Sequence, residues 1–152
     1  MTKEDKDLLF KEICARLPYG ILAECGTDYD FQNNITETVK LLSLDIDIEI
    51  CRIKVGNYLF NISLDEIKPY LRPMSSMTEE ERLDLSKLTN EQFKFYLYTN
   101  IPQILCCGGS QYNYLDGLSI IDWLNAHHFD YRGLIKKGLA LEAPEDMYKH
   151  EL

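Results

Sequence analysis

The stretch that most limits the fold is IDIEICRIKVGNYLFNI, residues 46–62. Apolar and charged side chains alternate along it, which is typical of a β-strand with one buried face. The alternation changes phase by one residue near Cys51, so the later apolar side chains would face solvent. An extra residue in a β-bulge would return them to the core side. We therefore predict a strand from Ile46 with a bulge near Ile50 and Cys51.

A two-residue turn divides the same stretch into a β-hairpin. Gly56 and Asn57 are residue types that accept the positive φ required in such a turn. This turn predicts three cross-strand pairs on one side of the hairpin: Val55 with Tyr58, Ile53 with Phe60, and Cys51 with Ile62. The upstream run ITETVKLLSLD, residues 35–45, predicts a further antiparallel strand.

The N-terminal segment has the spacing of an amphipathic helix. From Lys3 to Leu17 the apolar residues that recur at helical intervals are Leu8, Leu9, Ile13 and Leu17. Thr2 or Asp5 supplies the cap, and Pro18 ends the helix. The apolar run YGILAEC, residues 19–25, then predicts a strand.

After the hairpin the local signals become helical. SLDE at residues 63–66 and TEEE at residues 78–81 both have the spacing of a capping box. Pro69 and Pro73 limit the first of these helices to about two turns. Residues 89–107 fit either a helix or a strand, and their TNEQ start favours a helix.

The C-terminal part is predicted to contain two short helices. Residues 108–116 have the composition of a loop, and the apolar stripe that follows consists of Leu118, Ile121 and Leu124, with His128. Asp130 caps a second short helix, and Gly138 ends it. We therefore predict one α+β domain over residues 1–152: an N-terminal helix, an antiparallel sheet with a central hairpin, and a mostly helical C-terminal half.

Charge and composition exclude several classes of function. The chain has 25 acidic and 16 basic side chains, and its net charge of -9 repels nucleic acids and anionic membranes. The N-terminus, MTKEDKDLLFKEI, lacks the apolar run of a signal peptide, and no stretch approaches the ~18–20 apolar residues that span a bilayer. Five cysteines, an odd number, favour reduced thiols. We expect a cytosolic protein that binds neither a membrane nor nucleic acid.

Histidines and cysteines raise the question of a reactive site. Neighbouring helical residues point about 100° apart, so His127 and His128 do not both face one metal ion. Cys106 and Cys107 are adjacent, which is a poor arrangement for tetrahedral zinc, and we expect no metal or cofactor. A small hydrolase in which Cys25, Cys106 or Cys107 meets one of the histidines remains an alternative. An acidic mimic of nucleic acid is another, and it requires carboxylates gathered on one face.

Aromatic residues near the C-terminus favour a recognition surface. The chain has ten Tyr, and Tyr, Trp and Arg carry much of the binding energy at protein interfaces. The candidate interaction residues are Trp123, His127, Tyr131, Arg132, Tyr112 and Tyr114. Trp123 fits equally well as a core anchor of the predicted C-terminal helix pair.

Two stretches resemble segments of a known group of proteins. They are KPYLRPMSSMTEEE, residues 68–81, and DWLNAHHFDYRGLIKKGLALEAPEDMY, residues 122–148, and together they cover about a quarter of the chain. Both are similar to segments of small proteins of unassigned function from gut anaerobic bacteria and their phages or mobile elements. The resemblance implies a cytosolic accessory protein of a mobile element, and it carries over no activity, cofactor or ligand residue.

The sequence therefore predicts a noncatalytic cytosolic protein that binds another protein through its aromatic-rich C-terminal surface. The identity of that partner is open, and a second copy of the chain is among the options. The hydrolase and the nucleic-acid mimic are the alternatives.

Overall fold

The computed structural model describes residues 1–27, 35–45, 47–55, 57–88 and 114–148. Its helices are α1 (Lys3–Arg16), α2 (Glu79–Lys87) and α3 (Tyr114–Ala126). Its strands are β1 (Leu22–Thr27), β2 (Ile35–Asp45), β3 (Ile50–Val55), β4 (Tyr58–Ser63), β5 (Ile67–Leu71) and β6 (Leu141–Glu142). The chain forms two compact units: the first is Met1–Leu71 with Leu134–Leu152, and the second is Arg72–Gly133. The prediction of a single domain stays a prediction.

Helix α1 begins as the sequence predicts. The Thr2 hydroxyl accepts a hydrogen bond from the Asp5 amide at 3.1 Å, and the Asp5 carboxylate accepts one from the Thr2 amide at 3.3 Å. This capping box satisfies two amides that have no partner inside the helix. Leu9 and Ile13 point into the core of the first unit. The N-terminal helix is confirmed, and Thr2 is its cap.

The sheet belongs to the first unit and has the strand order β4-β3-β2-β1-β5-β6. All of its pairings are antiparallel except that of β5 with β6, which is parallel. The α+β class is confirmed, but the sheet is mixed rather than purely antiparallel. The β3–β4 hairpin also lies at one end of the sheet and not at its centre. The reason is that β2 pairs with β3 on one side and β1 on the other, so later strands add beside β1.

The predicted register of the hairpin is confirmed. Val55 pairs with Tyr58, Ile53 with Phe60, and Cys51 with Ile62. The buried members of these pairs are Cys51, Ile53 and Ile62. These side chains belong to the same buried cluster as Leu9 and Ile13 of α1. The alternation of apolar and charged residues in the sequence therefore correctly predicts which face of the hairpin is buried.

The predicted bulge near Ile50 and Cys51 is wrong. β3 begins at Ile50, and Asp47–Glu49 form a turn in which Ile48 is 61% exposed. The Asp45 carboxylate accepts a hydrogen bond from the Asp47 amide at 3.1 Å and helps to close that turn. Since the chain leaves the sheet there, no bulge is needed to change the phase. The irregularity in the ladder lies instead in β2, between Leu41 and Ser43.

The predicted helix after residue 63 is also corrected. The capping box of Ser63 and Glu66 forms, but it starts only the 3₁₀ turn Leu64–Glu66. The chain then continues as β5, in which Pro69 lies opposite Ala23 of β1. Proline disfavours helical backbone at the residue before it, here Lys68, so the segment extends as a strand.

A tyrosine near the C-terminus ties strands of the first unit together. The Tyr148 hydroxyl accepts a hydrogen bond from the Leu22 amide at 3.2 Å and donates one to the Tyr70 carbonyl at 2.9 Å. β6 is fixed nearby, because the Ala143 amide donates to the Leu71 carbonyl at 2.8 Å. The C-terminal segment is therefore an integral part of the sheet unit.

The second unit contains α2 and α3. The second capping box is confirmed, with Thr78 and Glu81 at the start of α2. α3 begins at Tyr114, so the predicted loop ends earlier than residue 116. Among the side chains of α3 that the structure describes, Ile120 and Leu124 are fully buried, whereas Leu118 of the predicted stripe is 42% exposed.

The last predicted helix is not formed. Residues 131–138 make turns, because Gly133 and Gly138 take φ of 77° and 73°, and such left-handed residues interrupt a helix. Residues 89–107 lie outside the described residues, and the mostly helical C-terminal half therefore stays a prediction. No helix that the structure describes has the length and apolar character required to cross a membrane.

A fully buried ion pair in α1 provides a test of this packing. Arg16 donates to the Glu12 carboxylate and, at 3.2 Å, to the Glu12 carbonyl, and neither side chain is exposed. Arg16→Met leaves a buried carboxylate without its ion pair, so we expect the free energy of unfolding to fall by about 3–5 kcal/mol in urea denaturation. Removing both charges with Glu12→Leu and Arg16→Met should recover most of this loss. A double variant as unstable as Arg16→Met would contradict this explanation.

Candidate functional site

The candidate site is built on the C-terminal end of α3. The His128 amide donates to the Asn125 carbonyl at 3.1 Å, and the Phe129 amide donates to the Leu124 carbonyl at 2.9 Å. These two bonds define a Schellman motif, which closes a helix end through a residue in left-handed conformation. That residue is His128, with φ of 57°. The cap turns the chain back and brings Phe129 into the same buried cluster as Leu124.

Arg72 fixes this cap through its backbone. Its amide donates to the His128 carbonyl at 2.8 Å, and its carbonyl accepts from the Asp130 amide at 2.7 Å. The two bonds form a short parallel bridge between Arg72 and Phe129. The residue that starts the second unit is therefore held against the end of α3.

The Arg72 side chain also holds the start of α2. Its Nη1 and Nη2 atoms donate to the two Glu81 carboxylate oxygens at 2.6 and 3.0 Å, a bidentate arrangement. Only 21% of the Arg72 side chain and 19% of the Glu81 side chain are exposed. Burial raises the pKa of the Glu81 carboxyl, but hydrogen bonds from Arg72 and Thr78 outweigh it and hold that pKa below its ordinary value. Glu81 is therefore a carboxylate at neutral pH.

The Arg72 guanidinium covers the first of three aromatic rings that stack in series. The guanidinium carbon lies 4.3 Å from the centre of the Phe129 ring. The Phe129 and Trp123 rings are 5.8 Å apart and inclined by 11°, and the Trp123 and His127 rings are 3.8 Å apart and inclined by 21°. We call Arg72, Phe129, Trp123 and His127 the stacked cluster. Cation–π and aromatic pairs each contribute on the order of 1 kcal/mol, so Trp123 is held in one orientation.

His127 completes the stacked cluster with a hydrogen bond. Its Nδ1 lies 2.8 Å from the carbonyl oxygen of Trp123, one helical turn earlier. A carbonyl only accepts, so Nδ1 carries the hydrogen and donates it. Both the bond and the ring stacking fix the imidazole, and His127 and Trp123 remain only partly buried. The stacked cluster therefore presents ordered aromatic surface.

The other predicted interaction residues have different environments. Tyr131 is 7% exposed, and its hydroxyl donates to the Asn125 side chain at 3.1 Å, so it is part of the core. Arg132 is exposed, with its guanidinium carbon 5.2 Å from the centre of the Tyr131 ring. Tyr112 lies outside the described residues. Tyr114 begins α3, and nothing is described of its side chain.

Sequence reasoning missed Arg72, Glu81 and Phe129 as members of the site. The capping box at residues 78–81 was the one local signal that drew attention to Glu81. Nothing near Arg72 in the sequence indicates that it meets Phe129, because the contact joins distant positions. The predicted core role of Trp123 is supported in part, since it packs against the buried cluster that contains Leu124.

Cys14 and Cys51 have the wrong electrostatics for a nucleophile. Burial raises the pKa of Cys51 to about 12, with a further contribution from Cys14, and burial also raises the pKa of Cys14. A nucleophilic cysteine needs a lowered pKa to form thiolate at neutral pH. Cys25 is buried, and Cys106 and Cys107 lie outside the described residues. Among the described residues, no group of three or more potential metal ligands is found.

Comparison of the chain with models of protein families, with curated proteins and with solved structures finds no match. No likeness to a known protein therefore assigns a role to any residue. The roles of the stacked cluster are argued from its contacts alone.

The left-handed cap gives a direct test of the site's geometry. His128→Ala and His128→Gly both remove the imidazole, but only glycine adopts positive φ without a clash of its Cβ. Left-handed backbone costs a residue with a Cβ roughly 1–2 kcal/mol, and the larger backbone entropy that glycine loses on folding offsets about 0.5–1 kcal/mol of this difference. We therefore expect the glycine variant to be more stable than the alanine variant by about 0.5–1 kcal/mol in urea denaturation. An alanine variant of equal or greater stability would contradict the cap.

Proposed function

We propose that the chain is a noncatalytic protein that binds another protein through the surface formed by Trp123, His127 and Arg132. The observation that carries this proposal is the stacked cluster, in which partly buried aromatic rings are fixed before any partner arrives. Immobilising a flexible side chain on binding costs about 0.5–1.5 kcal/mol. A tryptophan that is already ordered avoids this cost.

The chemical character of the surface also favours a protein partner. Trp and Arg are enriched at the energetic centres of protein interfaces. The exposed Arg132 guanidinium supplies a charge in the same unit, and its carbon lies 5.2 Å from the centre of the buried Tyr131 ring. The same unit exposes Leu83 and Leu118, by 57% and 42%. Mixed apolar and charged surface of this kind is typical of the core and rim of an interface.

The proposal also includes a biological setting. We propose a cytosolic accessory factor of a mobile element, based on the resemblance of residues 68–81 and 122–148 to proteins of that group. The net charge of -9 supports a protein partner over nucleic acid. A Cys/His hydrolase receives less support, since Cys25, the candidate nucleophile among the described residues, is fully buried in the core of the sheet unit.

Site-specific photocrosslinking in the host tests this proposal. Arg132 is replaced by the photoreactive residue benzoylphenylalanine, and Lys11, which is exposed on α1, is replaced in the matched control. We expect one protein to crosslink at position 132 and not at position 11. Adding His127→Ala should weaken the crosslink several-fold, because it removes the outward ring of the stacked cluster.

Circular dichroism checks that each variant keeps its helix and strand content. The proposal is wrong if the folded chain yields no specific crosslink at position 132, or if both positions capture the same proteins. Retention of the full crosslink in the His127→Ala chain would exclude the stacked cluster from the surface.

A further inference from the structure

Strand β4 leaves one edge of the sheet open in the part of the chain that the structure describes. At the far end of the hairpin, the Leu64 amide donates to the Glu49 carbonyl at 2.9 Å. In an antiparallel pair of strands, residues whose backbone hydrogen bonds to the neighbouring strand alternate with residues whose backbone does not. Counting back from Leu64, every second residue of β4 therefore hydrogen bonds to β3. Leu59 and Asn61 fall between them, and their N–H and C=O groups point away from β3.

The sequence of β4 itself has none of the residue types that usually protect an edge strand against pairing. Natural proteins guard edge strands with lysine, proline or a bulge. β4 reads YLFNIS and contains no charge, proline or glycine. Tyr58 and Leu59 are 74% and 59% exposed. The edge is therefore suited to accept an added strand through backbone hydrogen bonds.

Two cations lie beside this edge on the solvent side of the sheet. Lys54 pairs with Leu59, and Arg52 pairs with Asn61. Within the described ranges, neither Arg52 nor Lys54 forms an ion pair. A negatively charged ligand would supply a counter-charge to both.

Two carboxylates of the sheet hydrogen bond to groups other than these cations. The Asp45 carboxylate, at the end of β2, accepts from the Asp47 amide. The Glu24 carboxylate, two strands from β3, lies 3.4 Å from the Tyr70 hydroxyl that donates to it. Neither carboxylate is paired with Arg52 or Lys54, so these two cations keep their charge on the solvent side of β3 in a chain whose net charge is -9.

We propose that β4 binds an extended acidic segment of another protein as an added strand, with alternate carboxylates paired to Lys54 and Arg52. Successive strands lie about 4.8 Å apart, so the new strand is about 10 Å from β3. A lysine or arginine side chain together with a glutamate side chain spans this distance across Leu59 and Asn61. The period of two in a strand places alternate glutamates on the cationic face.

The charge pattern favours an acidic partner over a second copy of this chain. Antiparallel pairing of β4 with the β4 of another copy would place both sets of Lys54 and Arg52 on one continuous face and would bring no carboxylate to either set. An acidic strand instead supplies the missing counter-charge. This surface lies in the first unit, so the inference does not depend on the proposed function of the stacked cluster.

Titration of the full chain with a synthetic peptide tests the inference. The probe is the capped peptide EVEVEVEV, followed by amide chemical shifts in ¹H–¹⁵N NMR spectra. We expect the largest shifts at the amides of Leu59 and Asn61, because these amides point toward the added strand. The peptide KVKVKVKV has the same strand propensity and opposite charge. EVEVEVEV with N-methylated glutamate amides keeps the charge but removes the donors that face β4, because the glutamates lie opposite Leu59 and Asn61. Both control peptides should bind about tenfold more weakly or not at all.

Two variants test separately the positive charge of β3 and the backbone edge of β4. Arg52→Glu with Lys54→Glu should weaken the binding of EVEVEVEV about tenfold, and the matched control, Lys3→Glu with Lys11→Glu on α1, should leave it unchanged. Leu59→Pro removes an outward amide while keeping the ladder to β3, and should also abolish binding. The inference fails if EVEVEVEV binds no better than its controls, or if the Arg52 and Lys54 variant binds as the wild type does. It also fails if β4 is occupied by a second copy of the chain at the concentrations used.

Discussion

Arg72 makes two kinds of contact at once, and the second unit is organised by them. The edge of its planar guanidinium binds both oxygens of Glu81, while its face covers the ring of Phe129. Its backbone bridges to the residues on either side of Phe129. Lysine has a single ammonium group and no planar face, so it would not reproduce both contacts. The start of α2 and the end of α3 are therefore joined through one side chain.

This arrangement explains how a tryptophan serves the core and the surface together. Trp123 packs against the buried cluster and also stacks on His127, which remains partly exposed. The stacked cluster limits the motion of the rings, so binding would cost less side-chain entropy. The sheet unit differs, because the open edge of β4 has unpaired backbone groups and the neighbouring strand β3 has positively charged side chains. The two proposed surfaces would therefore recognise different features of a protein partner.

Local signals predicted the parts of the fold that depend on neighbouring residues. The caps at Thr2 and Thr78 and the hairpin register are confirmed, because each follows from side chains a few positions apart. Residues 47–49 were misassigned as strand, since a turn can have the same alternation of apolar and charged residues. Of the site, the sequence indicated Trp123, His127 and Arg132 but not Arg72. The contact of Arg72 with Phe129 is set by packing between distant segments, which one sequence does not display.

The most direct test of this account is the near-ultraviolet circular dichroism of Trp123, the one tryptophan in the chain. An indole held against other rings in a fixed orientation gives a defined band in this region. We expect Arg72→Lys to reduce that band strongly while the far-ultraviolet spectrum stays close to that of the wild type, because the guanidinium and its bidentate contact are lost. An unchanged tryptophan band in a folded Arg72→Lys chain would show that Arg72 does not hold the stacked cluster in place.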